Sequence, residues 1–238
     1  MSTPIGRAKA AAKLRFPRTY EAIKAANPAT WRRRRHLAGR SADDIFTEFY
    51  ETDAWQSPES KSGTGSTLAA TAAIRAALPS LLSDLDIKTL IDAPCGDFHW
   101  MRHVDLPLRR YIGGDIVAPL IDRLNAEYGD NIRSFMVLDL TTDPLPEADA
   151  LFCRDLFLHL PFADIERVKA NFLASRCKYL IASTTPAIKV QFDIVTGEAR
   201  PVNLTRPPLH WPQPLRLLDD RADGYPHRRM GVWRRDQF

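Results

Sequence analysis

Cysteine is scarce and poorly placed for cross-linking. Only Cys95, Cys153 and Cys177 occur in 238 residues, widely spaced, with no C-x-x-C pair and no Cys/His cluster. That pattern excludes a disulfide framework and argues against a structural metal, so no metal site and a reducing, cytoplasmic setting are expected. Long apolar runs are missing too. None reaches the ~18 residues of a membrane span, so no transmembrane segment is expected, and the first residues lack the apolar core of a secretory signal. Glycine-rich phosphate cradles are absent: no G-x-G-x-x-G occurs, and S-G-T-G-S-T at 62–67 lacks the Lys that a Walker loop carries after its second glycine. Acids are almost missing from the first 40 residues. Eleven Lys and Arg face the single Glu21 there, about +10, which leaves about −6 for the remainder of a chain with net charge +4.

What remains is ordinary globular material, 45% hydrophobic and 26% charged, enough to bury a core without staples. Residues 1–40 read as a basic, partly mobile N-terminal arm and residues 41–238 as one α/β domain. In the arm, IGRAKAAAKLRF and RTYEAIKAAN are helical stretches ending before Pro17 and Pro28, and the tetrad Arg32 to Arg35 follows. A solvated arm is the plain reading. Such charge would also attract an anionic membrane surface, an acidic partner or nucleic acid, and an organelle transit peptide has a similar composition. SADDIFTEFYETDAW predicts a short helix capped by Ser41, with Asp43 and Asp44 in its first turn. TLAATAAIRAAL predicts another, entered at Ser66 or Thr67 and closed by Pro79.

From residue 87 the rhythm changes. IKTLID, RRYIGGD, SFMVLDL, DALFCRD and KYLIAST are strand-like, with helical connectors APLIDRLNAEYG and ADIERVKANFLAS between some of them. The alternation predicts βαβ units in a doubly wound, mostly parallel sheet, whose strands are apolar because both faces are covered. PLRLLDD and GVWRRDQF are expected to add antiparallel edge strands. The Pro-rich TGEARPVNLTRPPLHWPQP is expected to form an ordered loop or cover.

The strand-like runs end in acids. Asp92, Asp115, Asp139 and Asp155 are 23, 24 and 16 residues apart. In a doubly wound sheet, ligands sit beyond the carboxyl ends of the strands, so four carboxylates converge where a ligand binds. A nucleoside offers the matching donors, two ribose hydroxyls and an exocyclic amine, and Asp115 stands where an acid accepts from the ribose. The first turn offers a pyrophosphate few backbone donors, because Pro94 removes an N–H and Asp97 adds a repelling charge. A nucleoside with a cationic or zwitterionic tail fits better, and S-adenosylmethionine is one. Asp92 and Asp97 would face its cationic end, and the loop from Ser62 to Thr67 would offer donors to its carboxylate.

These residues resemble a class I S-adenosylmethionine-dependent methyltransferase of Rossmann-like fold over roughly residues 45–238. The likeness is carried by IDAPCGDFHWM, YIGGDIV, VLDLTTDPLPEADALFCRDLFLHLP and RPVNLTRPPL. It is similar in particular to a bacterial group with D-x-P-C-G-D-F-x-W-M as first motif and S-G-x-G-S-T upstream. Pro94 stands where the wider class has its first glycine, and Phe98 lies near the third. The resemblance implies that Asp92 and Gly96 line the cofactor, that Asp115 binds the ribose and that Asp139 approaches the adenine amine. The expected cofactor-binding set is Asp92, Pro94, Cys95, Gly96 and Asp97; Asp115 and Ile116; Asp139 and Leu140; Arg154; Ser62, Gly63 and Ser66; and Trp55.

Methyl transfer to an alcohol needs a base near the methyl group. His159 follows Asp155 by four residues, so a helix beginning at Asp155 would put both on one face, with the carboxylate orienting the imidazole. The expected catalytic pair is therefore His159 and Asp155, against the alternative that Asp155 caps a helix and His159 packs. Arg154 either positions an anionic acceptor group or pairs with Asp155. Trp55 and Trp100 either meet the ligand by stacking and cation–π attraction or pack the core or a lid. Cys95 reads as a small buried side chain, and Asn203 and Arg206 are candidates for a polar acceptor. The expected activity is O-methylation of a sugar or other small polar acceptor; the glycan follows from the company such proteins keep. A nucleotide-dependent oxidoreductase is the alternative, opposed by the missing pyrophosphate glycines. An RNA-binding protein or RNA methyltransferase using the arm is another, opposed by the acidic remainder.

Overall fold

The computed structural model describes residues 15–238, so the predicted helix over IGRAKAAAKLRF falls largely outside the described residues. Strands β1 (Thr89–Asp92), β2 (Arg110–Asp115), β3 (Arg133–Val137), β4 (Ala150–Cys153), β5 (Tyr179–Thr184), β6 (Arg216–Asp219) and β7 (Arg229–Arg234) form one seven-stranded sheet. Its order is β3-β2-β1-β4-β5-β7-β6. The first five positions are parallel; β7 pairs antiparallel with β5 and with β6. The apolar runs explain the order. β4 is buried at every residue, and β2 and β5 at all but their first, as strands covered on both faces must be. β3 and β6, with exposed positions, form the two edges. β7 was expected at an edge but lies inside the sheet. Its Met230, Gly231, Val232 and Trp233 are all buried, which an edge position would not achieve.

Helices α1 (Pro17–Ala26), α2 (Pro28–Leu37), α3 (Ala42–Glu51), α4 (Ala72–Asp84), α5 (Ala118–Tyr128) and α6 (Phe162–Ala174) accompany the sheet. Pro28 opens α2, and the Asn27 side chain accepts from the Ala29 N–H. Ser41 caps α3 by accepting from the Asp44 N–H. Thr67 Oγ1 accepts from the Ala70 N–H, so it caps the turn leading into α4. Pro79 does not close α4 but sits inside it. Burial of Leu78, Leu81 and Leu82 offsets the missing backbone bond. Strand order reverses beside β1, which pairs with β2 on one side and β4 on the other, so the crevice for a ligand lies beyond their carboxyl ends. Among the described residues no helix is long and apolar enough to cross a membrane.

Candidate active site

A cavity of about 390 Å³ opens at that crevice. Asp92 at the end of β1 and Asp115 at the end of β2 both line it, as do Asp139 and Asp155, each two residues past its strand. The four acids therefore share one hollow.

Asp92 is 2% exposed and accepts from the Tyr111 hydroxyl at 2.5 Å. Burial pushes its carboxyl up to about 7, despite that hydrogen bond. The following turn, through Pro94, Cys95, Gly96 and Asp97, also lines the cavity. Its N–H groups are spent on protein acceptors: Cys95 on the Gly114 carbonyl (2.8 Å), Gly96 on Asp115 Oδ2 (3.0 Å) and Asp97 on Ser62 Oγ (2.9 Å). Gly96 has φ +54°, and a Cβ there would lie 2.2 Å from Ser62 Oγ, so only glycine fits. Asp97 was expected to face a ligand's positive end. It lines the cavity, and its carboxylate also pins the upstream loop, with Oδ1 accepting from the Ser60 and Ser62 hydroxyls and Oδ2 from the Lys61 N–H. Ser62, Gly63 and Ser66 of that loop line the cavity together with Lys61, Thr64 and Gly65. Among the described residues, no hydrogen bond occupies the N–H of Thr64 or Gly65.

Asp115 is 7% exposed; its oxygens accept from the N–H groups of Gly96 and Val117, and burial still pushes it up to about 6. Neither Asp92 nor Asp115 forms an ion pair within 4 Å among the described residues. Ile116 and Leu140 border the same space, while Asp139 Oδ1 accepts from the N–H and hydroxyl of Thr141.

Beyond β4 the geometry departs from the expected dyad. Arg154 pairs with Asp155 (3.4 Å), but its closer partner is Asp220 (Nε to Oδ2, 3.1 Å). It also donates to the Gly65 carbonyl and lies over the Trp100 ring at 5.3 Å. No helix begins at Asp155, which has φ +59°. Its carboxylate is held by Arg228 Nη1 at 2.7 Å and by Ser183. Burial alone would raise its pKa, but Arg154 and Arg228 prevail and hold it below the usual carboxylate range. Asp155 is thus a poor base and does not orient His159. The orienting acceptor is the Glu198 carbonyl, 2.9 Å from His159 Nδ1. A carbonyl only accepts, so the proton sits on Nδ1 and Nε2 is the free lone pair. Burial pushes the His159 pKa down, which favours the neutral ring. Phe46 and Trp55 flank the imidazole, with ring centroids 6.3 and 6.2 Å away.

Trp100 is buried against Phe152 and also lines the cavity. Asn203 and Arg206 do not line the cavity. Asn203 is 3% exposed and spends its amide on the Pro186 and Ile188 carbonyls, as a loop tie. Sequence reasoning missed Tyr111, Asp220, Arg228 and the Glu198 carbonyl, whose sequence distances from their partners carry no local signal. It also missed Tyr225, whose hydroxyl meets Thr64 Oγ1 at 2.9 Å over the cavity. No cluster of three or more metal-ligating side chains is found among the described residues.

No protein-family model matches the chain, and no curated protein matches it. Solved structures do. PigF with S-adenosylhomocysteine is 15% identical with a TM-score of 0.57, over 82% of this chain and 62% of that one. Human N-acetylserotonin methyltransferase in complex with S-adenosylmethionine is 13% identical with a TM-score of 0.56, over 82% of this chain and 60% of that one. Magnesium protoporphyrin IX methyltransferase from Synechocystis PCC 6803, with bound S-adenosylmethionine, is 14% identical with a TM-score of 0.52, over 82% and 97%. The chain therefore spans less than two thirds of the first two. At these identities the likeness defines the fold, which is the Rossmann-like methyltransferase fold.

Proposed function

We propose that the protein is an S-adenosylmethionine-dependent methyltransferase acting on an oxygen of a small acceptor. One observation carries the reading: Asp92 and Asp115 are buried carboxylates at the wall of a cavity with no ion pair within 4 Å among the described residues, and burial outweighs the attraction of the more distant Arg154 for Asp92. Unpaired buried charge is costly unless a ligand compensates it. A cationic nucleoside does so. Asp115 and Ile116 would hold its ribose, Asp139 and Leu140 its adenine, and Asp92 with the Pro94–Asp97 turn its positive end. The open N–H groups of Thr64 and Gly65, with Lys61, would receive its carboxylate. Trp55 and Arg154 complete the wall. When bound, S-adenosylmethionine supplies a methyl group activated on a sulfonium.

The chain's own contribution is alignment, exclusion of water and one proton transfer. His159 Nε2 accepts the proton of an acceptor hydroxyl while Nδ1–H stays on the Glu198 carbonyl. Phe46 and Trp55, which line the cavity and flank the imidazole, would border an acceptor ring, a sugar included. The oxidoreductase alternative is disfavoured because Cys95, Gly96 and Asp97 have no N–H left for a pyrophosphate. Nucleic acid is disfavoured by the acidic balance of residues 41–238.

Calorimetric titration decides. S-adenosylhomocysteine should bind in the micromolar range, about −8 kcal/mol, and NAD should give no heat. The reverse result would falsify the cofactor assignment.

A further inference from the structure

The basic arm is absorbed by neither the fold nor the proposed chemistry, yet its second helix is not loose. Leu37 of α2 is 2% exposed in the core. Arg33 donates from Nη2 to the Gly197 carbonyl (3.3 Å) and lies over the Phe49 ring at 5.7 Å. Arg34 pairs through Nε with Glu198 Oε2 (3.4 Å) and donates from Nη2 to the Asp193 carbonyl (3.5 Å). These contacts fall on one short stretch. Within it, the Glu198 N–H closes a turn onto the Val195 carbonyl (3.1 Å), and the Glu198 carboxylate accepts from the Val195 N–H (3.0 Å). Gly197 has φ +85°, and a Cβ there would meet Ile45, Phe49 and Leu37 at 2.7, 3.2 and 3.3 Å. The turn is thus wedged beneath α2 and α3.

The same turn grips His159 twice. The Gly197 N–H donates to the His159 carbonyl (3.0 Å), and the Glu198 carbonyl accepts from the imidazole (2.9 Å). Arg200 braces the neighbouring residues, its N–H on the Leu158 carbonyl and its Nη1 on the Phe157 carbonyl. Taken singly, the arginine contacts are weak. Arg34 is half-exposed, and such pairs contribute about 0–1 kcal/mol. Their acceptor is not: the Glu198 side chain is 7% exposed, so the turn cannot drift without moving a packed carboxylate.

We infer that helix α2 is a positioning element of the catalytic site, in which Arg33 and Arg34 hold the 195–198 turn so that the Glu198 carbonyl fixes His159 with its proton on Nδ1. The inference rests on the reading of His159 as the base. It gives two of the four consecutive arginines a task toward the site, whereas Arg32 is exposed and Arg35 lies over the Trp31 ring of its own helix. The charged groups bearing on the imidazole are Asp155, Arg33 and Arg200, so removing Arg33 also removes a cation that disfavours the charged ring.

The test uses the full chain with ¹⁵N-labelled histidine, whose ring nitrogen shifts report the tautomer without any substrate. In the wild-type protein at pH 8, His159 should be a single Nδ1–H species. In R33A/R34A it should become a mixture of tautomers, with a titration midpoint moved upward. R33K/R34K should restore the single species, because lysine donates to the same acceptors. R32A/R35A removes equal charge from the same helix and should match the wild type. A wild-type tautomer in R33A/R34A, or a mixture in R32A/R35A, overturns the inference. If the double alanine variant does not fold, Arg34→Gln is read the same way. S-adenosylhomocysteine titration of the same samples separates the two failures: absence of binding in the wild type sinks the cofactor reading and leaves the tautomer result standing.

Discussion

Asp115 lines the cavity, and its carboxylate keeps lone pairs beyond the bonds from the Gly96 and Val117 N–H groups. Charge-assisted bonds from a ribose would use them. Asp115→Ala should therefore weaken S-adenosylhomocysteine binding by about 1–3 kcal/mol, read by calorimetry; unchanged affinity removes Asp115 from the site. His159 is placed differently, because its neighbours are Phe46, Trp55 and the Glu198 carbonyl and not the acids. His159→Ala should leave that affinity intact and lower turnover roughly 100-fold or more, the worth of a general base. The acceptor for that assay is whatever lysate fraction takes up label from a radioactive methyl donor. Near-normal turnover would hand deprotonation to solvent, since Asp155 is already neutralised by Arg154 and Arg228. The two variants thus divide binding from chemistry.

At the scale of elements, the loop at 60–66 and the turn at 94–97 behave as one piece, joined through Asp97, Ser60 and Ser62. Gly96→Ala puts a methyl into Ser62 Oγ and a side chain at φ +54°. It should cost about 1–3 kcal/mol of stability and loosen both pieces, so that S-adenosylhomocysteine affinity falls although no contacting side chain is lost. A wild-type melting temperature and affinity would refute that coupling. The strands were legible in the sequence because burial on both faces leaves continuous apolar runs, and their acidic ends were legible because a charge interrupts each run. Ser41 was legible as a local cap. Pairing at a distance was not. Arg154 finds Asp220, 66 residues away, and His159 finds a backbone carbonyl at Glu198, which no side-chain pattern announces. Pro79 misled because the apolar face of α4 outweighs one lost hydrogen bond.

For the whole molecule, the site has a stability cost that pH exposes. Asp92 has its pKa raised from 3.8 to about 7, so the folded state binds this proton more tightly than the unfolded chain. A raised pKa contributes stability that is fully present below about 3.8 and is lost as pH rises through about 7. Asp115, raised to about 6, acts in the same sense. His159, with a lowered pKa, acts oppositely, favouring the fold as pH rises. The melting curve of the wild type alone therefore mixes signs, and a difference between proteins isolates the carboxylate. Asp92→Asn keeps an acceptor for the Tyr111 hydroxyl and removes the titration. At pH 8 the variant should melt above the wild type; the gap should narrow as pH falls below about 7 and close only below about 3.8, where the carboxyl is protonated in the folded and unfolded chains alike. S-adenosylmethionine should reverse the ranking at pH 8, because its sulfonium compensates the wild-type carboxylate and has nothing to compensate in the variant. A gap that is independent of pH would mean that Asp92 is already ionised and paired in the empty protein. The ligand's charge would then not be what this crevice is built to receive.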